Sequence, residues 1–300
     1  YPWKGTALMS FDESNAPAYR WLILGLAMLT NVLAAAAPGM CMPVLFDEIA
    51  SDLNLSLVQV GAIWGISSLP GIATALLGGA IGDRFGPRRV LIAACLLSGL
   101  AGGLRGMASS FATLMLTMFL FGMVMPIVSL NNFKNCGLWF PGRQMGLASG
   151  VLSMGMALGF LLSSMLSATV LSPLLGGWRA VLFLYGAAAA LLAIPWALTR
   201  TAPAAPGAGA ARPSLLSSLA SVARIRSIWF LGLAIFGFGG AVQGALGYLP
   251  LFLRGEGWAP AAADGALAAF HTISMICVVP IALLSDRLGT RKGILIPAAL

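Results

Sequence analysis

Charged side chains are scarce in this chain: Asp, Glu, Lys and Arg together make up only 9% of its 300 residues. Soluble globular proteins are about a quarter charged, whereas 59% of the residues here are hydrophobic. That much apolar surface needs lipid as its solvent. Because a continuous apolar segment satisfies its backbone in lipid only as a helix or within a closed barrel, and the apolar runs here have helical length, we expect an all-α membrane protein.

Groups that carry out chemistry are equally scarce. The sequence has one histidine and four cysteines, and no two cysteines are spaced like metal ligands or a redox pair. It contains no HExxH motif, no GxSxG motif and no paired acids in an apolar segment, which argues against a membrane-embedded enzyme. We therefore expect no enzyme activity, no cofactor and no metal site.

The net charge of +8 does not indicate a nucleic-acid-binding protein. The basic residues form short clusters between apolar runs, rather than the basic stripe that such proteins carry. We expect membrane lipid to surround the chain and no nucleic acid to bind it.

Eight segments are long and apolar enough to cross a bilayer, which takes about 20 residues. The predicted spans, in order, are Trp21–Leu45, Leu57–Gly82, Val90–Met107, Phe111–Phe133, Gln144–Thr169, Ala180–Thr199, Ser227–Leu253 and Gly265–Ser285. A ninth apolar run, Gly293–Leu300, would rise only about 12 Å as a helix. We expect eight complete spans and part of a ninth, with the chain stopping within its second half.

The basic residues predict the orientation of the chain. With the N-terminus inside, only Arg105, Arg179 and Arg254 of the 17 Lys and Arg residues lie on the outer side. Cytoplasmic loops are enriched in Lys and Arg, so we expect a cytoplasmic N-terminus in a plasma (inner) membrane. Arg105, at the end of the third span, is expected to snorkel to the interface.

A flexible linker divides the predicted spans into two sets. Residues 201–213 read TAPAAPGAGAARP, a composition typical of linkers. Ser214–Arg226 then has leucines at helical spacing, which predicts a short amphipathic helix on the inner membrane surface. The sequence thus predicts an N-terminal six-helix bundle (1–200), a cytoplasmic linker (201–226) and a partial C-terminal bundle (227–300).

A charged hairpin recurs in the two sets of spans. GAIGDRFGPRR (79–89) follows span two and ALLSDRLGTRK (282–292) follows span eight, and the two align without a gap. Such a repeat indicates two parallel halves. Its glycine and charged positions are Gly79, Asp83, Arg84, Gly86, Arg88, Asp286, Arg287, Gly289 and Arg291.

This hairpin resembles the signature loop of the major facilitator superfamily, G-x-L-x-D-R-x-G-R-[RK], and the resemblance extends over the whole chain. It implies a secondary transporter in which two bundles rock around a cavity near the bilayer midplane. It also implies that Asp83 contacts the N-terminus of a helix from the opposite half, beyond Leu300, and so closes the inner gate. Gly86 would allow the tight turn of the loop.

The stretch WFPGRQMGLASG (139–150) further resembles the start of span five in nitrate, cyanate and organic-anion porters of that superfamily. Nitrate porters carry mid-membrane arginines in spans two and eight, and this sequence has none there. Nitrate itself is therefore not the expected substrate. In the same span, Gly146-x-x-x-Gly150 and Gly155-x-x-x-Gly159 predict close contacts between helices.

Few polar side chains lie at bilayer depth, where they are costly and often functional. The candidates for substrate binding are Asn31, Trp64, Gln243 and His271. His271 could bind an anion or carry a proton, or it could simply be bonded to a neighbouring helix. Asn31 and Gln243 could equally form interhelical hydrogen bonds, and Trp64 could equally be a packing residue.

Because none of the nine acids lies inside a complete predicted span, we do not expect proton coupling through a buried carboxylate in these spans. We expect a monomer that transports a small-molecule substrate with or without a coupling ion. A small organic or inorganic anion is favoured, because the only ionisable mid-membrane group is basic. Efflux of apolar compounds and a non-transporting sensor descended from a transporter stay open as alternatives.

Overall fold

The computed structural model describes residues 16–142, 144–201 and 223–288. Within these ranges all regular elements are helical, which confirms the all-α prediction. Span one comprises α1 (Ala16–Thr30), a π-helical turn (Asn31–Ala36) and α2 (Ala37–Leu53), and span two comprises α3 (Leu57–Ile66) and α4 (Leu69–Phe85). Span three is α5 (Pro87–Leu104) with a 3₁₀ turn (Arg105–Met107), and span four is α6 (Phe111–Trp139). Span five comprises α7 (Gln144–Leu166), a second π-helical turn (Ser167–Leu171) and α8 (Ser172–Leu175), and span six comprises α9 (Trp178–Leu191) and α10 (Ala193–Leu198). The second set comprises α11 (Arg226–Gly255) and α12 (Pro260–Leu288).

Seven helical segments among the described residues are long and apolar enough to cross a membrane, and they coincide with predicted spans one to seven. The predicted eighth span lies within α12, and its crossing of the bilayer stays a prediction. The predicted amphipathic helix falls on the linker, most of which lies outside the described residues, as does the ninth apolar run.

Several helices continue past the predicted limits of their apolar segments. The first span was predicted to end at Leu45, but α2 runs through Asp47 and Glu48 and ends at Leu53, where Asn54 adopts the left-handed conformation with φ of 52°. Hydropathy falls at the first charged residue, whereas helical hydrogen bonding continues until the backbone leaves the helical region. The charged helix ends therefore project from the apolar part of the bundle.

Small residues let span five pack closely against span one. A Cβ atom on Gly159 would lie 2.6 Å from Cβ of Ala36, and one on Gly155 would lie 2.8 Å from Cγ of Met28. The predicted close contact is confirmed at this pair of glycines. It is wrong for Gly146 and Gly150, since no described neighbour lies within 4 Å of a Cβ on either.

The two ends of the bundle carry different ion pairs. At one end, here called the signature end, Nζ of Lys134 lies 2.8 Å from a carboxylate oxygen of Asp83. At the opposite end, here called the far end, Arg254 pairs with Asp264 at 2.7 Å. Helix α12 begins at the far end, and its 29 residues span about 43 Å. Asp286, near its last turn, is therefore at the same end as Asp83, in keeping with two parallel halves.

Candidate functional site

A cavity of about 780 Å³ lies between the first set of spans and helices α11 and α12. Spans one, two, four and five line it on one side, and spans seven and eight line it on the other. All four predicted substrate-binding residues are on its walls: Asn31, Trp64, Gln243 and His271. The structure thus brings together side chains that are far apart in the sequence, while their contact with a substrate stays a prediction.

Among the described residues that line the cavity, His271 is the only ionisable one. It is 3% exposed, and its ring packs against Phe160, with centroids 5.0 Å apart, and against Phe270 at 5.4 Å. Its Nε2 atom is buried and has no hydrogen-bond partner among the described residues. A buried polar atom without a partner is costly, which makes this nitrogen a candidate partner for a polar solute.

Asn31 is occupied by contacts within the bundle. It is fully buried at the start of the π-helical turn in span one. Its Nδ2 donates to the carbonyl of Leu152 in span five at 2.9 Å, and its Oδ1 accepts from Nδ2 of Asn132 in span four at 2.8 Å. The amide therefore joins three spans, which favours the interhelical hydrogen bond over substrate contact.

The asparagines of span four were missed by the sequence reasoning. Asn132 also donates to the carbonyl of Ala27 at 2.7 Å, and Asn131 donates to the carbonyl of Gly78 at 3.1 Å. The available signal was three asparagines within five residues, at positions 131, 132 and 135, where an apolar run meets a helix end. These amides tie span four to spans one and two.

Trp64 and Gln243 meet across the boundary between the two sets of spans. The indole Nε1 of Trp64 donates to the backbone carbonyl of Gln243 at 2.9 Å. The side chain of Gln243 makes no hydrogen bond within the part of the chain that the structure describes. A second link lies nearer the far end, where the hydroxyl of Tyr248 donates to the carbonyl of Leu57 at 3.0 Å. Backbone acceptors of each set thus receive side-chain donors from the other.

Arg105 does not snorkel to the interface, so that prediction was wrong. Its side chain is fully buried, with Nε donating to the carbonyl of Gly102 at 3.2 Å. The guanidinium carbon lies 4.1 Å from the ring centroid of Phe121, and Nη1 lies 3.8 Å from the sulfur of Met118. The ring face of Phe121 attracts a cation, which favours the inward arrangement.

An ion-pair cluster joins the two sets of spans at the far end. Arg254, at the end of α11, pairs with Asp264 at 2.7 Å and with Asp47 of span one at 3.6 Å. The sequence places Asp264 just before the eighth span, but α12 begins at Pro260 and buries this side chain to 1% exposure. Helix α12, which contains the predicted eighth span, therefore begins with a buried carboxylate.

The first signature loop is anchored within its own half. Lys134 donates to a carboxylate oxygen of Asp83 at 2.8 Å and to the carbonyl of Gly79 at 2.6 Å. Gly86 has φ of +83° between α4 and α5, a conformation that glycine adopts without strain. The predicted contact of Asp83 with a helix of the opposite half falls outside the described residues.

Arg88 links the same loop to the end of span six. Its guanidinium donates to the carbonyls of Trp196 at 3.2 Å and Ala197 at 2.6 Å. A cation is favourable at the C-terminal end of a helix, so Arg88 acts as a cap. Arg84 lies over the ring of Phe85 instead. In the second copy, Asp286 and Arg287 are in the last turn of α12, whereas Gly289 and Arg291 lie outside the described residues.

Three transporters are similar to this chain in sequence. The probable nitrate/nitrite antiporter NarK1 of Thermus thermophilus is 29% identical over 284 residues, which cover 91% of this chain and 63% of that protein. The hexuronate transporter of Bacillus subtilis is 31% identical over 145 residues, 48% of this chain and 33% of that protein. The probable sulfoacetate transporter SauU of Cupriavidus necator is 30% identical over 103 residues, which cover 34% of this chain and 24% of that protein. This chain thus spans at most 63% of the length of these relatives.

Solved structures with a similar fold are also transporters. A bacterial homolog of the human lysosomal transporter Spinster, in an inward-facing and occupied conformation, gives a TM-score of 0.70 at 20% identity, covering 91% of this chain and 63% of that one. A D-xylose-proton symporter gives a TM-score of 0.64 at 16% identity, covering 90% of this chain and 70% of that one. At such identities the likeness establishes the fold.

The family follows from a match to nearly the whole chain. The sequence model of the Major Facilitator Superfamily matches residues 27–300, and the helical architecture agrees with it. The family is one of transporters and not of enzymes, in agreement with the expectation that this chain is no enzyme. The chain is an integral membrane protein that belongs to the major facilitator superfamily.

Proposed function

We propose that the full-length protein is a secondary transporter that carries a small organic or inorganic anion by alternating access to the described cavity. The observation that carries this proposal is the lining itself. The cavity is bounded by both sets of spans, and the only ionisable side chain that the described residues contribute to it is the basic His271. The described part of the lining contains no Asp or Glu that would repel an anion.

The binding chemistry rests on His271 and Gln243. The unpartnered Nε2 of His271 would bind a carboxylate, sulfonate or oxyanion, because hydrogen bonds to a charged group are stronger than neutral ones. The free amide of Gln243 is a second donor on the same side. Relatives named for nitrate, hexuronate and sulfoacetate transport support an anion as substrate class, although no arginine is among the described lining residues to bind nitrate.

Alternating access would proceed by rocking the six-helix bundle (1–200) against the C-terminal bundle (from 227), with residues 201–226 as cytoplasmic linker. Support comes from the links at the far end: Tyr248 to Leu57 at 3.0 Å and Arg254 to Asp47 at 3.6 Å. These would break when the cavity opens at that end. With the N-terminus in the cytoplasm, the far end is the outer end of a monomer in the plasma (inner) membrane.

Efflux of apolar compounds is the second candidate. Four methionines at positions 40, 118, 125 and 156 line the cavity, together with several phenylalanines. Methionine side chains adapt to ligands of different shape, so this lining would also suit an apolar solute.

Flux through the full-length protein in liposomes separates these functions. We expect uptake of at least one of labelled glucuronate, sulfoacetate and nitrate, competed by unlabelled anion and absent from protein-free liposomes. Transport of a lipophilic dye without any of the anions would favour efflux. Absence of flux for every solute would favour the non-transporting sensor.

A variant at His271 tests the proposed site. His271→Ala should raise KM for the transported anion about tenfold or more, because a hydrogen bond to a charged group contributes about 1.5–3 kcal/mol and a tenfold change corresponds to about 1.4 kcal/mol. The KM of His271→Gln, which keeps a neutral donor, should lie between those of wild type and His271→Ala. An unchanged KM and rate in His271→Ala would remove this residue from the site.

A further inference from the structure

Arg105 is a buried positive charge that has no counter-charge in the part of the chain that the structure describes. Its side chain is fully buried, and arginine does not lose its proton in proteins. None of the ion pairs formed among the described residues includes Arg105. Nη2 is buried without any hydrogen-bond partner among those residues. A buried charge in this state is unfavourable unless something else compensates it.

The wall between this charge and the cavity is one side chain thick. Nη1 of Arg105 lies 3.8 Å from the sulfur of Met118, and the guanidinium carbon lies 4.1 Å from the ring centroid of Phe121. Met118 and Phe121 both line the cavity. Since the groups of Met118 and Phe121 that separate the two are apolar, the field of the guanidinium is screened less on its way to the cavity than it would be in water.

We propose that Arg105 determines the specificity of the cavity for anions: its uncompensated charge, held behind Met118 and Phe121, is balanced by the negative group of the bound solute. This inference rests on the proposed anion transport. Arg105 acts without touching the solute, whereas His271 binds it directly. The two positive or potentially positive groups come from different halves, span three and span eight, so the anion is favoured when both walls enclose it.

The charge of Arg105 can be tested in the full-length protein in liposomes, with the best transported of glucuronate, sulfoacetate and nitrate as probe. Arg105→Gln should raise KM for the anion about tenfold, with the maximal rate per folded protein within about twofold of wild type. Arg105→Lys, which keeps the charge, should restore KM to within about threefold. An unchanged KM in Arg105→Gln, or an Arg105→Lys variant as impaired as Arg105→Gln, would reduce Arg105 to a packing residue.

A second pair of variants keeps Arg105 itself and so avoids a folding defect from its loss. Met118→Glu places a carboxylate beside Nη1 and neutralises the charge locally, whereas Met118→Gln has the same shape without the charge. A carboxylate at position 118 would both cancel the charge of Arg105 and itself repel an anion in the cavity, so KM for the anion should be at least about tenfold higher in Met118→Glu than in Met118→Gln. Equal KM values in the two would overturn the inference, even if Arg105→Gln does not fold.

The two proposals fail in different ways. If wild-type protein carries none of the three anions, the proposed function and this inference fail together. If wild-type protein carries an anion and neither the Arg105 variants nor the Met118 pair changes KM, anion transport stands and only the role of Arg105 is rejected.

Discussion

The far end and the signature end of the bundle both contain ion pairs, but these pairs connect different partners. At the far end, Arg254 joins α11 to span one through Asp47 and to α12 through Asp264, and the side chains of Arg254 and Asp264 are only 13% and 1% exposed. At the signature end, Lys134 and Asp83 belong to the same half, and their side chains are 34% and 58% exposed.

The ion pairs at the two ends should differ in how strongly they oppose separation of the two sets of spans. The link between the two sets is the contact of Arg254 with Asp47, whose side chain is 65% exposed, while the buried pair of Arg254 with Asp264 joins α11 to α12 within the second set. Removal of Arg254 would therefore break the link to span one and also leave the buried Asp264 uncompensated. An exposed pair within one set contributes little, since water screens it. The far end should therefore govern opening of the cavity, whereas the described contacts of the signature end fix the shape of one half.

The largest expected effect follows from Arg254→Gln. The contact with Asp47 of span one would be lost, and Asp264 would be left buried without its charged partner. Because opening of the far end would let water reach this carboxylate, the closed far end should lose about 3 kcal/mol relative to the open one. A cysteine at Ser67, on the cavity wall, should then react at least tenfold faster with a membrane-impermeant maleimide supplied from the far-end side. Cys277 is replaced by serine to remove the one described native cysteine that is not buried.

The matched control is Arg179→Gln at the same end. Arg179 pairs with Asp52 at 2.6 Å, but both residues belong to the first set of spans and both side chains are about 40% exposed. Labelling at position 67 should stay within about twofold of the parent. If the two arginine variants label equally fast, the contacts of Arg254 do not hold the far end closed.

A smaller effect is expected from Tyr248→Phe, which removes only one hydroxyl from the link between the halves. Its hydrogen bond to the carbonyl of Leu57 should contribute about 1 kcal/mol, so the same labelling rate should rise about fivefold. Tyr185→Phe is the matched control, since its hydroxyl bonds to Ser167 at 2.9 Å within the first half. A rise in labelling with Tyr185→Phe as large as that with Tyr248→Phe would contradict the distinction between the links.

The sequence predicted the apolar spans and the polar residues of the cavity, because both depend on properties of single segments. Asn31, Trp64, Gln243 and His271 stand out as polar or aromatic groups at bilayer depth wherever their helices are placed. The burial of Arg105 and Asp264 could not be predicted in this way. A charge near a helix end turns inward only when another helix supplies favourable contacts for it. Phe121 supplies a ring face to Arg105 and Arg254 supplies a counter-charge to Asp264, and both come from other helices.

Asn132 is a residue whose polar character is visible in the sequence but whose contacts could not be predicted from its own segment. The cluster of asparagines in span four is visible in the sequence, but its meaning depends on Asn31 and on the carbonyl of Ala27, both in span one. Hydrogen bonds between transmembrane helices contribute about 0.6 kcal/mol on average, so this network positions the spans more than it stabilises them.

The smallest effect is expected at the signature end, from Lys134→Met. This substitution removes the ion pair with Asp83 and the hydrogen bond to the carbonyl of Gly79, but the side chain is partly exposed and its loss should cost less than about 1 kcal/mol. The melting temperature in detergent should fall by about 2 °C, while labelling at position 67 from the far end stays unchanged. Faster labelling in Lys134→Met would show that the two ends are coupled through span four, and the division between a gating end and a structural end would then be lost.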